Sequence, residues 1–158
     1  MKTDVHGTDA YADDKLAIRA VIARQFGSLN WSEGSPADWD AFAADFFPSA
    51  MLYPGARPAN GQTVSAFLER MKRLSETTLR RFREALLHCD ICVFGNVAVA
   101  VAICEQFEGG AQSTRNVEMM LLVRNEGAWQ IVSQAWDTES PSKPIPAQLL
   151  SAVAQATQ

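Results

Sequence analysis

Between residues 79 and 137 the chain reads twice as strand, tight turn, strand, and this doubled hairpin restricts the fold more than any other feature. Apolar and polar side chains alternate from Leu79 to Phe94, Gly95-Asn96 marks a turn, and alternation resumes from Val97 to Phe107. A second hairpin runs from Arg115 to Arg124, turns through Asn125 to Gly127, and returns along Trp129 to about Asp137. Strands joined by such short turns pair antiparallel in one sheet, and one face of that sheet has to be covered.

The cover comes from the first half. Apolar residues at Leu16, Ile18, Val21, Ile22, Phe26 and Leu29 predict an amphipathic helix from Asp13 to about Leu29. In "SPADWDAFAADFF", Ser35 is the expected N-cap, with Pro36 at the first helical position, Asp38 closing the cap, and Trp39, Phe42 and Phe46 on the inner side. Asp45 is expected on the solvated side of this helix. Pro48 ends it, "AMLYPG" gives a short strand and turn, and Thr63 caps a third helix with Val64, Phe67, Leu68, Met71 and Leu74 on one side. The order is helix, helix, strand, helix and four long strands. That is an α+β fold, a curved antiparallel sheet wrapped around the long N-terminal helix and leaving a concave pocket. One domain is expected over residues 13–140, with a disordered tail at 1–12. A Pro-rich segment and peripheral tail follow at 141–158, where Ala147 to Gln155 could form a short helix.

A length of 158 residues, with 47% apolar and 20% charged residues, suits a single globular domain with a core of its own. The net charge of −4 gives no overall attraction to nucleic acid or an anionic membrane, and neither is expected as a partner. Six of the fourteen basic residues do cluster, at Arg70, Lys72, Arg73, Arg80, Arg81 and Arg83. The cluster lacks the interleaved aromatics that stack bases, and reads as an exposed helix end and strand start. The N-terminal "MKTDVHGTDAYADD" has neither the apolar run of a signal peptide nor the character of a transit peptide, and no stretch approaches the roughly 18–20 apolar residues of a membrane span. An odd number of cysteines, three, fits reduced thiols, and a cytoplasmic location is the expectation.

The order of elements, together with "WDAFAADFFPSAMLYPG", "GQTVSAFLERM", "CVFGNVAVAVA" and "RNVEMMLLVRNEGAWQIVSQAW", resembles the nuclear transport factor 2-like superfamily, and within it the SnoaL-like proteins. The resemblance covers about residues 13 to 138 and implies a cystatin-like α+β cone with a deep pocket, usually in a homodimer that packs sheet against sheet. It implies no single activity, because isomerases, epoxide hydrolases, cyclases, dehydratases and association domains share the fold. Relatives similar to ketosteroid isomerase place an aspartate just after the first strand, where this chain has Tyr53, Pro54 and Gly55, and a tyrosine on the first helix near Gln25 or Phe26. Neither group is present here. The Asp-Arg-Asp arrangement of limonene epoxide hydrolase also finds no clear match.

Candidate chemistry therefore rests on the last hairpin. A turn through Asn125 to Gly127 sets Met120 opposite Val132, Glu118 opposite Gln134 and Asn116 opposite Trp136 on one face, with Arg115 opposite Asp137 as an ion pair on the other. By the parity that the family places toward its pocket, Asn116, Glu118, Met120, Gln134 and Trp136 line the cavity. The apolar set Val117, Met119, Leu121, Val123, Trp129 and Ile131 then faces a partner subunit or the remaining core. One bulge would reverse that parity. Glu118, beside Met120 and near Trp136, would be partly desolvated and suited to general acid or base work. The competing reading is a rim carboxylate, exposed or bonded to Gln134. Asn116, Gln134 and Tyr53 are the expected ligand-orienting groups.

Other motifs carry less. His88 and Asp90 share a strand face, but Val101 and Ile103 lie opposite and no nucleophile joins them; His6 falls in the tail. Cys89 and Cys92 have metal-like spacing, yet residues three apart on a strand point to opposite faces, and no metal site is expected. Cys104 extends a stripe of small residues, Ala98, Ala100 and Ala102, that could keep the cavity hollow. The reading that results is a SnoaL-like protein binding a small apolar or aromatic molecule in its cone, with no cofactor. If it is an enzyme, its reaction is a proton transfer of the isomerase, dehydratase or cyclase kind. The alternative is a non-catalytic ligand-binding or dimerisation module.

Overall fold

The computed structural model describes residues 9–110 and 112–150. His6 and most of both expected tails lie outside the described residues; of the C-terminal helix only residues 147–150 are seen, and they are helical.

Helix α1 (Ala12–Ser28) opens on Asp13 and Asp14, whose charges suit a helix N-terminus, and buries Ile18, Val21, Ile22, Gln25 and Phe26. Helix α2 (Trp39–Ala44) is shorter than its sequence suggests. Its cap is Asp38, which accepts the Ala41 N–H at 3.0 Å, while Ser35 is held in a bridge to Ser32. The helix stops before Phe46 because the chain there joins the sheet: the Asp45 carbonyl accepts the Ile131 N–H at 2.9 Å, and Phe46 pairs with Ile131. Asp45 itself is buried, with both carboxylate oxygens bonded to Arg24 of α1, and so does not face solvent. Burial needs such a partner, because an unpaired charge would lose its hydration without compensation.

Strand β1 (Phe46–Tyr53) pairs with the two-residue β2 (Gln62–Thr63), where Thr63 caps α3 (Val64–Glu76) as its sequence predicts. Strands β3 (Arg83–Phe94), β4 (Val97–Phe107), β5 (Ser113–Asn125) and β6 (Ala128–Thr138) complete a six-stranded sheet in the order β2-β1-β6-β5-β4-β3. All neighbours are antiparallel except β1 and β6, which run parallel with β2, α3 and strands β3 to β5 between them in the chain. The fold is the expected α+β cone, with the helices on the inner side of a curved sheet.

Two bulges shape the inner face. Leu87 is unpaired between Leu86 and His88 on β3, and on β6 an extra residue, Val132, sits between Ile131 and Ser133. Each bulge exchanges the two faces of its strand from that point on. The turn before β6 is a tight two-residue one, with Glu126 at φ 51° and Gly127 at φ 80°; positive angles at both central positions match the twist of the hairpin. The core packs Ile18, Ile22, Leu52, Leu122 and Ile131 with Ala98, Ala100, Ala102 and Cys104. The small-residue stripe is thus core packing, and none of its members lines the pocket described next.

Candidate functional site

The two-residue turn at Glu126-Gly127 and the bulge at Val132 together correct the pairing read from the sequence. Glu118 stands opposite Trp136, Met120 opposite Gln134 and Asn116 opposite Thr138, two residues further along β6 than a regular hairpin would give. Arg115 accordingly bonds Glu139 at 2.6 Å, and Asp137 turns to Lys143 at 2.8 Å. Trp129 and Ile131 are also corrected. They lie before the bulge, pair with Arg124 and Leu122, and are buried on the inner side instead of sharing the outer face with Met119 and Leu121.

The inner face of the sheet and the helices line a cavity of about 250 Å³. Phe26 of α1, Leu29 at its C-cap, Phe42 of α2, Leu52 of β1, Phe67 of α3, Phe82 and Trp136 form its apolar wall. Phe67 stacks on Phe42 at 5.5 Å and meets Trp136 edge-on at 6.0 Å, so three elements hold the aromatic wall in one arrangement. The polar wall brings together Gln25, Glu84, Gln106, Asn116, Glu118 and Gln134, with Glu108, Arg70 and Thr138 also lining the cavity.

Of the residues expected from the sequence, Asn116, Glu118, Gln134 and Trp136 line the cavity. Met120 and Tyr53 do not. Met120 is buried in the core on the same face. Tyr53 is 39% exposed and packs over Gly61, where even a Cβ would fall 2.6 Å from its ring, and its neighbours Leu52 and Pro54 line the cavity instead. His88 bonds Asp90 at 3.0 Å, opposite Ile103 and Val101 and away from the cavity. Cys89 is buried and Cys92 exposed, as strand geometry requires.

Glu118 is 3% exposed and lies at the end of a chain of amides. Gln25 of α1 donates its side-chain N–H to Oε1 of Gln134 at 2.5 Å, and Gln134 donates in turn to Oε2 of Glu118. The Cys104 thiol lies 3.7 Å from Oε1 of Glu118, Asn116 also bonds the carboxylate, and Thr138 anchors Asn116 at 2.8 Å. The second acid is Glu84, half-buried, whose Oε1 accepts from Gln106 at 2.6 Å. Burial pushes Glu118 up to about 7, opposed by its hydrogen bonds from Gln134, Cys104 and Asn116. Burial, then the charge of Glu118, pushes Glu84 up to about 8, opposed by Gln106 and reinforced by Glu108. Burial and the two carboxylates keep the Cys104 thiol protonated, which makes it a poor nucleophile.

Glu84, Gln106 and Gln25 are functional candidates that the sequence reading missed. Gln25 carried a legible signal, since it sits on the apolar stripe of α1 among Ile18, Val21 and Ile22. Glu84 did not: counted back from buried Cys89, regular alternation points it outward, and only the bulge at Leu87 turns it in.

A curved sheet closed by helices over a mixed polar and aromatic pocket defines the cystatin-like fold of the nuclear transport factor 2-like proteins, and the chain has that fold. No protein-family model and no curated protein matches it. Among solved structures it is similar to a nuclear transport factor 2-like protein from Novosphingobium aromaticivorans, with TM-score 0.68 and 15% identity over 89% of this chain and 88% of that one. A protein of uncharacterised function from Caulobacter vibrioides gives TM-score 0.65 and 17% identity over 83% and 93%. A second Novosphingobium aromaticivorans protein, provisionally described as an aromatic ring hydroxylase, gives TM-score 0.64 and 16% identity over 82% and 91%. Likeness at these identities establishes the fold and leaves activity to the site. Among the described residues no helix is long and apolar enough to cross a membrane, and no group of side chains is arranged to hold a metal ion.

Proposed function

We propose that the chain binds a small apolar or aromatic molecule in this cavity and moves a proton on it, with Glu118 as base and Glu84 as acid. The carrying observation is that two carboxyl groups share one cavity in unequal surroundings: Glu118 is supported by three donors, Glu84 by Gln106. The first proton taken up by the pair therefore resides mainly on Glu84. A neutral acid beside an ionised base near neutrality is the division of labour that proton transfer needs. The aromatic wall of Phe42, Phe67 and Trp136 suits a flat or apolar body, and the provisional name of one structural neighbour points to the same ligand class.

Deuterium exchange at the acidic C–H of a bound aromatic ketone such as tetralone, followed by NMR in heavy water, tests this reading. Exchange above the buffer rate that falls by about 100-fold or more in Glu118→Gln supports it. Binding of the ketone without accelerated exchange would make the cavity a non-catalytic binding site.

A second reading concerns assembly. On the outer face of the sheet Val97, Val99, Met119 and Leu121 are each about half exposed, and Val99 pairs with Leu121 across the strands. A contiguous apolar strip of this kind supports a homodimer packed sheet against sheet. Light scattering on the purified chain tests it, and a monomer at micromolar concentration would end it.

A further inference from the structure

The hydrogen-bond inventory of the polar wall is lopsided. Its side-chain donors each serve one of the protein's own acceptors: Gln134 and Asn116 on Glu118, Gln106 on Glu84, and Thr138 on Asn116. Gln25 is 2% exposed and lines the cavity, and its Oε1 is the one buried side-chain polar atom among the described residues without a hydrogen-bond partner. An orphaned acceptor in a buried site costs free energy, and turning the amide over does not cure it. Ionised Glu118 demands the N–H of Gln134, which leaves the Gln134 oxygen facing Gln25, which in turn commits the Gln25 N–H. The polarity of the whole chain is set by the carboxylate, and its far end is an oxygen.

From this arrangement we infer that the ligand enters with a protonated amine as its head group and an apolar or aromatic body behind it. The inference rests on reading the cavity as a small-molecule site and stands whether or not the carboxyl pair moves a proton. An ammonium brings a donor for the orphaned Gln25 oxygen and a positive charge for the buried carboxyl pair. The charged and titratable groups around the site are Glu84 on β3, Cys104 on β4, Glu108 just after it, Glu118 on β5 and Arg70 on α3. The only cation among them, Arg70, is exposed and lies over the Phe67 ring at 5.6 Å, where solvent screens it, whereas Glu118 is fully enclosed. The mutual repulsion that hinders ionisation of Glu84 beside Glu118 is what a bound cation relieves.

The test compares phenethylamine, phenethyl alcohol and phenylacetate by isothermal titration calorimetry against the full chain at about pH 6 and about pH 8.5, conditions that bracket ionisation of the pair. The amine is expected to bind about tenfold or more tighter than the alcohol at the higher pH, since a hydrogen bond to a charged group is the stronger kind. Its affinity should rise with pH, because protons on the carboxyls must leave before the ammonium can use them. Glu118→Gln and Glu84→Gln should each weaken the amine more than the alcohol and so narrow the preference for amine; alcohol binding that persists also shows that the cavity has survived the substitution. Equal binding of amine and alcohol, tighter binding of phenylacetate, or affinity falling with pH would each overturn the inference while keeping the small-molecule site. If none of the three binds, the site reading itself fails and the inference falls with it.

Discussion

Glu118 on β5 stands directly opposite Trp136 on β6, two residues beyond the pairing that an unbroken hairpin would give them. The offset combines a two-residue turn at Glu126-Gly127 with the single extra residue Val132, and it lets Trp129 and Ile131 share the inner face with Gln134 and Trp136.

Deleting Val132 should therefore be far more damaging than truncating it. Removal of the bulge forces either Trp129 and Ile131 or Gln134 and Trp136 onto the outer face. The deletion variant is expected to lose its cooperative thermal transition by circular dichroism, whereas Val132→Ala, at a half-buried position, should lower stability by only about 1 kcal/mol.

Stability should fall as pH rises from about 5 to about 8.5. The sign follows from the two acids: each has a folded-state pKa raised above its ordinary value of 4.5, Glu118 to about 7 and Glu84 to about 8. The folded state consequently holds protons that the unfolded chain has already released, and the stabilisation present below 4.5 is lost as pH climbs through 7 and 8. Asp137 and Glu139, whose pKa values are lowered, contribute at the acid end of the scale and do not mask this window. Thermal melts across this range should show the melting temperature dropping by several degrees, and Glu84→Gln combined with Glu118→Gln should flatten the profile.

Arg24→Ala should destabilise the chain more than Asp45→Asn does. The guanidinium is about half exposed and can rehydrate, but Asp45 is 6% exposed and would be left with a buried, unpaired charge. A loss of about 1–3 kcal/mol is expected for Arg24→Ala in urea denaturation, and a smaller loss for the neutral amide.

Met119→Glu should leave the monomer fold intact, since the side chain is 56% exposed on the outer face. If that face joins two copies, two like charges meet across the interface, and light scattering should report monomers where the unsubstituted chain gives dimers.

The alternation of β3 to β6, the Gly95 and Gly127 turns, the apolar stripe of α1 and the Thr63 cap are local signals, carried by residues close in sequence, and the α+β cone follows from them. Glu118, Asn116, Gln134 and Trp136 were legible as pocket residues because β5 has no bulge over that stretch and the two departures along β6 together restore the original parity. Long-range contacts decided the rest. Asp45 is buried because Arg24, twenty-one residues away, neutralises it, and α2 ends early because its next residues join β6. Glu84 faces Glu118 because the bulge at Leu87 exchanges the faces of β3, and Gln25 matters because α1 is laid against Gln134. Hydrophobic periodicity fixes a strand's two faces but not where one extra residue will swap them, and the tertiary fold alone selected the swap that places two acids in one cavity.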